Sequence, residues 1–276
     1  MDIVLLFKSL IMGMVEGITE FLPISSTGHL ILTGDLLNFM GKEKRDVYEI
    51  FIQLGAMLAV VWEYRAKLTQ TLKGAVKPGS ERNLLLAVVI AFIPAAILGL
   101  LFSKTIKAHL FQPVPVAMAF IIGGIIILWA EKRQANKVPV VESVDDLSLK
   151  DALKVGLCQC LALIPGTSRS GATIIGGMFL GISRKAATEF SFFLGIPTLG
   201  AASIYSLLKH RHELDMGDSG VFAVGFIASF IFAFIAIRAL IKFISTHTFV
   251  GFAYYRIAFG LIVLATAYSG LVSWTV

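Results

Sequence analysis

The chain has 276 residues, 57% of them hydrophobic and only 15% charged, and its mean hydropathy is +0.82. A soluble domain of this size carries about 25% charged residues, so a water-soluble globular enzyme is excluded. The net charge of +6 is better explained by orientation bias in membrane loops than by nucleic-acid binding, and no nucleic-acid partner is expected.

In chain order, the first residues lack the positive charge and the small-residue cleavage site of a removable signal peptide. Residues 16–29 (Glu-Gly-Ile-Thr-Glu-Phe-Leu-Pro-Ile-Ser-Ser-Thr-Gly-His) then interrupt an apolar stretch with carboxylates, hydroxyls and a histidine. Such groups are expensive inside a bilayer and mark a functional site. Pro23 and Gly28 beside them predict a broken helix, which a membrane tolerates only where protein or a polar cavity shields it. Val47–Tyr64 reads as a span with Glu49 near its start, and Leu84–Ser103 and Ala108–Ala130 follow as uncharged runs. Residues 159–173 (Gln-Cys-Leu-Ala-Leu-Ile-Pro-Gly-Thr-Ser-Arg-Ser-Gly-Ala-Thr) form a second buried polar segment. Phe190–Leu208, Ser219–Ile237 and Ile257–Val276 are again free of charge. Each run approaches or exceeds the ~18–20 residues that cross a hydrocarbon core. Cys158 and Cys160 are the only cysteines. Their Cys-Gln-Cys spacing is no redox or zinc signature, and they read as small buried hydrophobes.

The two polar segments align as an internal repeat. Gly13, Glu16, Ser25, Thr27 and Gly28 fall on Gly156, Gln159, Ser168, Ser170 and Gly171 at an offset of 143. Glu49, Leu54 and Gly55 fall on Glu189, Leu194 and Gly195, and Gly124 falls on Gly260. Each half reads as a re-entrant pair of half-helices followed by three spans. Three is odd, so the second copy enters from the opposite side. The predicted fold is an all-α polytopic membrane protein with an inverted-topology repeat, about six transmembrane helices and two re-entrant half-helix pairs. It forms one membrane domain, residues 1–276, with halves of about 1–135 and 145–276. Loops 65–83, 131–154, 184–189 and 238–248 hold 14 Lys and Arg, against 7 in loops 41–46, 104–107 and 209–213. That excess places the first set in the cytoplasm and both chain ends on the other side.

Glu16 and Glu20 are four residues apart and share one helix face. Two like charges in a low dielectric call for a shared proton or a cation. A divalent cation, Mg²⁺ or Ca²⁺, bound through carboxylate and phosphate oxygens resolves the conflict; hydrogen bonding to neighbouring loops is the plainer alternative. After Pro23, the Ser25-Ser26-Thr27-Gly28 run can start a helix whose free N–H groups suit phosphate, beyond ordinary capping. His29 is a proton carrier or a nucleophile towards phosphorus. Arg169, between Ser168 and Ser170, offers a planar fork for a diphosphate and needs an anionic partner, either Glu20 or the ligand. Gly166, Thr167 and Thr173 are further candidate contacts. Glu49 and Glu189 read as structural anchors paired with Arg45, Arg184 or Lys185. Arg256 is either a snorkelling interface residue or another phosphate contact.

At these motifs the chain resembles the undecaprenyl-pyrophosphate phosphatases of the bacitracin-resistance family over essentially its whole length. The family's glutamate motif stands at Glu16 to Glu20, its Ser-Ser-Thr-Gly-His element at Ser25 to His29, and its Pro-Gly-x-Ser-Arg-Ser-x-x-Thr element at Pro165 to Thr173. The resemblance implies a metal-dependent phosphatase of the bacterial inner membrane that converts undecaprenyl diphosphate to undecaprenyl phosphate. Its active site would open to the periplasm. Glu16 and Glu20 would hold the metal or act as base, Arg169 would bind the diphosphate, and Ser26 or His29 would attack phosphorus or activate water. Ser25, Thr27, Gly166, Thr167, Ser168, Ser170, Thr173 and Arg256 are the substrate-contact candidates. The polyprenyl tail needs an apolar groove, with Phe190, Phe192 and Phe193 as candidates and helix packing as their plainer role. The expected partners are the diphosphate lipid and the bilayer; the oligomeric state is open, a homodimer being one option.

Two rivals use the same residues. A lipid flippase would share the broken helices and the diphosphate site but release no phosphate. The type-2 phosphatidic-acid phosphatases share Ser-Thr-Gly-His but require Ser-Arg-x5-His-x3-Asp. After Ser168-Arg169 no histidine occurs before His210, so that reading fails.

Overall fold

The computed structural model describes residues 2–135, 137–209 and 218–272, and these form eleven α-helices. No strand is present among them, only an isolated bridge between Val141 and Ile182. The first half comprises a helix hairpin, α1 (Ile3–Thr19) and α2 (Ser26–Leu36), then α3 (Lys42–Glu63), α4 (Arg65–Gly74), α5 (Ser80–Leu110) and α6 (Pro113–Gln134). The second half repeats the plan with the hairpin α7 (Leu149–Gln159) and α8 (Arg169–Phe179), then α9 (Arg184–Lys209), α10 (Ser219–Ile244) and α11 (Val250–Tyr268).

Five helices are long and apolar enough to cross a membrane, and a sixth results if α3 and α4, bent by 74° at Tyr64, count as one span. By contrast α2, α7 and α8 have eleven residues each, about 16 Å of helix and roughly half a hydrocarbon core. This is a multi-pass membrane protein. Two span boundaries differ from the sequence reading. The third expected span began at Ala108, whereas α5 runs on to Leu110 and the break falls at Phe111-Gln112, where Pro113 starts α6. The last charge-free run began at Ile257, directly after Arg256. The helix α11 instead begins at Val250 and buries Arg256, which is 1% exposed. Its expected end lies partly outside the described residues, as does most of the loop 209–213.

The halves interlock. α1 packs chiefly on α10, α7 packs on α5, α3 packs on α10 and on α9, and α6 pairs with α11. Each hairpin therefore rests on the second long span of the other half, a pattern consistent with an inverted repeat. Small residues permit the closest approach: a Cβ at Gly17 would stand 2.5 Å from the Ser229 carbonyl oxygen and 2.7 Å from the Ala233 nitrogen. One face gathers the ends of α3, α6 and α10 with the starts of α4 and α9. There Arg184 pairs with Glu131, Lys67 with Asp145 at 2.6 Å and Arg238 with Glu63 at 2.8 Å. Arg184 thus anchors Glu131 rather than Glu49 or Glu189; the Glu49 carboxylate lies 3.9 Å from Arg45.

Phe190, Phe192 and Phe193 are all buried in the central core. Phe192 meets Phe21 edge-on at 5.4 Å and Phe193 meets Tyr64 at 5.0 Å. Projecting from α9, the three rings take the plainer of their two roles, helix packing in the core.

Candidate active site

Each hairpin breaks where the sequence turns from apolar to Pro, Gly and Ser. The first helix stops with Glu20 as its C-cap, Pro23 follows in the turn, and α2 starts at Ser26. The second stops in a short 3₁₀ turn, Cys160–Leu163, and α8 starts at Arg169. Ser25 (φ 66°) and Ser168 (φ 74°) precede the two helices in the same left-handed backbone conformation. Non-glycine residues adopt it at a cost of order 1–3 kcal/mol, and such strain concentrates at functional sites. The starts differ in one respect. Ser168 caps α8 by accepting from the Gly171 N–H at 3.0 Å, whereas no side chain caps α2. No side chain therefore competes for the first-turn N–H groups of α2, and an uncapped helix start suits an anion.

The two breaks meet. Glu20 accepts the Ser26 hydroxyl through Oε2 at 2.6 Å and the Arg169 guanidinium through Oε1 at 3.1 Å. The Arg169 and Glu20 side chains are 10% and 6% exposed. Arg169 is steadied by Nη1 donating to the Ser191 carbonyl at 2.7 Å, while its Nε has no partner. A serine hydroxyl bonded to a carboxylate, with a guanidinium on that carboxylate's other oxygen, is an arrangement that can supply a nucleophile, a base and an oxyanion-stabilising cation.

A cavity of about 420 Å³ opens over this cluster. Glu20, Ser25, Ser26, Thr27, Gly166, Ser168 and Arg169 line its polar floor, and Ile106, Phe111, Leu163 and Leu199 are among its apolar walls. That combination suits a charged head on an apolar tail. Gln53 and Thr198 also face it and were not singled out from sequence. Both are polar residues inside apolar runs, the same signal that marked the other site residues.

Other expected contacts sit elsewhere. Ser170 and Thr173 are fully buried and do not line the cavity. Ser170 Oγ donates to the Leu22 carbonyl at 2.8 Å and Thr173 Oγ1 to the Ser191 hydroxyl at 2.7 Å. The Leu22 carbonyl, which also accepts from the Ile24 N–H at 2.7 Å, thereby joins the second hairpin to the first. Thr167 presents its carbonyl to Arg256 rather than its hydroxyl to the cavity. Arg256 neither snorkels nor lines the cavity; backbone carbonyls hold all five of its N–H groups. His29 lies one turn along α2 with both ring nitrogens occupied. Nδ1 is 2.7 Å from the Ser25 carbonyl and Nε2 is 2.6 Å from the Tyr255 hydroxyl. A carbonyl only accepts, so Nδ1 carries a proton, and in the neutral ring Nε2 accepts from the Tyr255 hydroxyl. The ring also stacks on Phe259 at 4.1 Å. Glu16, one turn before Glu20, is fully buried and neither of its oxygens has a hydrogen-bond partner.

The fold and this cluster define a class: a polytopic helical membrane protein with a serine–carboxylate–arginine site at the junction of two broken helices. The profile of the bacitracin resistance protein BacA family matches residues 9–262, and the chain belongs to that family. It is 80% identical over 271 residues to undecaprenyl-diphosphatase 1 of Chromobacterium violaceum, covering 98% of this chain and all of that protein. It is 60% identical over 276 residues to undecaprenyl-diphosphatase of Cellvibrio japonicus and 62% identical over 276 residues to undecaprenyl-diphosphatase 2 of Rhodospirillum rubrum, each over the full length of both chains.

Proposed function

We propose that this protein is an integral-membrane phosphatase that hydrolyses undecaprenyl diphosphate to undecaprenyl phosphate and inorganic phosphate. That reaction recycles the lipid carrier for peptidoglycan synthesis and underlies bacitracin resistance. The observation that carries the reading is the shared carboxylate of Glu20, bonded to Ser26 on one oxygen and to Arg169 on the other at the floor of one cavity.

The geometry favours Ser26 over His29 as nucleophile, because Tyr255 already occupies the free lone pair of His29. Ser26 Oγ attacks the terminal phosphorus as its proton passes to Glu20. The bond from that phosphorus to the bridging oxygen breaks, and Glu20 returns the proton to the departing undecaprenyl phosphate. Water then attacks the phosphoserine while Glu20 takes its proton. The P–Oγ bond breaks, Glu20 reprotonates Ser26, and inorganic phosphate leaves. Arg169 and the uncapped start of α2 hold the phosphoryl oxygens, since phosphoryl transfer depends mainly on positioning and charge neutralisation.

Glu16 and Glu20 are the residues that would hold a divalent cation, Mg²⁺ or Ca²⁺: both Glu16 carboxylate oxygens are buried without hydrogen-bond partners one turn from Glu20, and carboxylate oxygens are the ligands such hard cations take. No group of three or more His, Cys, Asp or Glu that could hold a metal occurs among the described residues, so phosphate and water oxygens would complete the shell. When bound, the cation would neutralise phosphate charge. For orientation, the face that gathers the basic loops is assigned to the cytoplasm. The cavity, walled by the far end of α5, then opens to the periplasm of a bacterial inner membrane.

The test is phosphate release from undecaprenyl diphosphate by the purified protein in detergent. Turnover that is lost on chelation and restored by Mg²⁺ or Ca²⁺ is expected. Lipid binding without phosphate release would favour the flippase reading.

A further inference from the structure

Arg256 carries a charge into the centre of the protein, yet no carboxylate pairs with it among the described residues. It is 1% exposed and does not line the cavity. Its guanidinium has five N–H groups, and five carbonyls take them. Nη1 donates to Pro23 at 3.0 Å and Thr167 at 2.9 Å; Nη2 donates to Gly166 at 2.9 Å and Ala119 at 2.9 Å; Nε donates to Phe120 at 3.3 Å. Pro23 lies in the break of the first hairpin, and Gly166 and Thr167 lie in the break of the second. Ala119 and Phe120 belong to α6, whose Phe120 ring also lies beneath the guanidinium at 5.3 Å.

The geometry points to Arg256 as a positioning residue: a clasp that fixes the two helix breaks to each other and to α6, so that Ser26 and Arg169 face the same phosphoryl group. The proposal rests on the phosphatase reading for its kinetic consequence, not for its structural one. Breaking a helix within a membrane strands carbonyls that water cannot reach. The fixed guanidinium fork answers three of these at once across two chain segments, which no neutral side chain can do. Pro23 and Ser26 are three residues apart, and Thr167 adjoins Ser168 and Arg169. A shift at the clasp is therefore delivered to both reacting groups. A lysine keeps the charge but has three donors radiating from one atom, so it cannot span five carbonyls. Gly123 on α6 offers a second handle, because a Cβ there would stand 2.7 Å from Arg256 Cζ and 3.0 Å from Nε. Gly123→Ala must displace the guanidinium without altering its charge.

The experiment compares Arg256→Lys and Gly123→Ala with their parent, all in a Cys160→Ala background and purified in detergent. Two readouts are taken on the monodisperse fraction: kcat and KM for phosphate release, and the rate of maleimide labelling of Cys158, whose side chain packs against Gly176 inside the second hairpin. The clasp predicts that kcat falls about a hundredfold, the scale of an ångström-sized misplacement, with KM within about threefold. It also predicts that Cys158 labels several-fold faster in both variants. Should Arg256→Lys not yield folded protein, Gly123→Ala decides by the same criteria. Parent-like kcat and labelling in Gly123→Ala, a loss confined to KM, or full activity in Arg256→Lys would each overturn the clasp. If the parent itself released no phosphate, the phosphatase reading would fall. The labelling rates would still judge the clasp, faster in the variants for it and unchanged against it.

Discussion

Glu20 is bonded to both partners of the proposed chemistry, so its role is open to a double-mutant test. Glu20→Gln keeps the shape of the side chain and leaves Arg169 an amide oxygen at the position now 3.1 Å away. The pair is weakened rather than vacated, so the cost to stability stays below about 3–5 kcal/mol, that of breaking a buried ion pair outright. What the amide cannot do is take the proton of Ser26, now 2.6 Å from Oε2. Loss of a general base slows a reaction about 10²–10⁴-fold, and Ser26→Ala should be at least as damaging. If Glu20 works through Ser26, the pair acts as a unit, and Glu20→Gln/Ser26→Ala is no slower than the worse single variant. Independent roles would instead multiply to about 10⁴–10⁸-fold. The assay is single-turnover phosphate release in detergent, with melting followed in parallel to confirm folding. Multiplicative losses would refute the serine–carboxylate dyad.

Three further outcomes are expected. Arg169→Lys should lower kcat by about 10²–10³-fold, because a lysine cannot hold the Ser191 carbonyl and Glu20 while also presenting a donor to phosphate; near-parental turnover would make Arg169 structural. His29→Asn should cost far less than Ser26→Ala, since the ring bonds Ser25 and Tyr255 rather than the reacting groups; complete inactivation of a folded His29→Asn protein would contradict that. Gly17→Ala should destabilise the protein by about 1–3 kcal/mol, the typical cost of overpacking, read as a lower melting temperature in detergent. Its Cβ would press on the Ser229 carbonyl, and an unchanged melting temperature would count against the tight α1–α10 seam.

The spans and the two polar hairpins were legible in the sequence because charge-free runs and intramembrane polar residues are strong, local signals. Less legible was what each polar residue bonds to. Ser168 and Ser170 sit in one short motif, but only Ser168 reaches the cavity, whereas Ser170 bonds the Leu22 carbonyl 148 positions earlier in the chain. Local spacing cannot show which distant carbonyl a hydroxyl will answer. The same limit hid Arg256. Its charge suggested an interface or a ligand, while five carbonyls from three separate segments make an interior site for it. Phe190, Phe192 and Phe193 read first as helix packing and second as a groove lining, but hydrophobicity alone does not distinguish the two. Packing against Phe21 and Tyr64 does.

Rapid-quench trapping with substrate labelled in its terminal phosphate bears most directly on the junction of the two hairpins as a single catalytic centre. Acid-stable label on Ser26, absent from Ser26→Ala and formed much more slowly in Arg169→Lys, is the predicted result. Label on His29, or turnover with no covalent intermediate at any quench time, would contradict it.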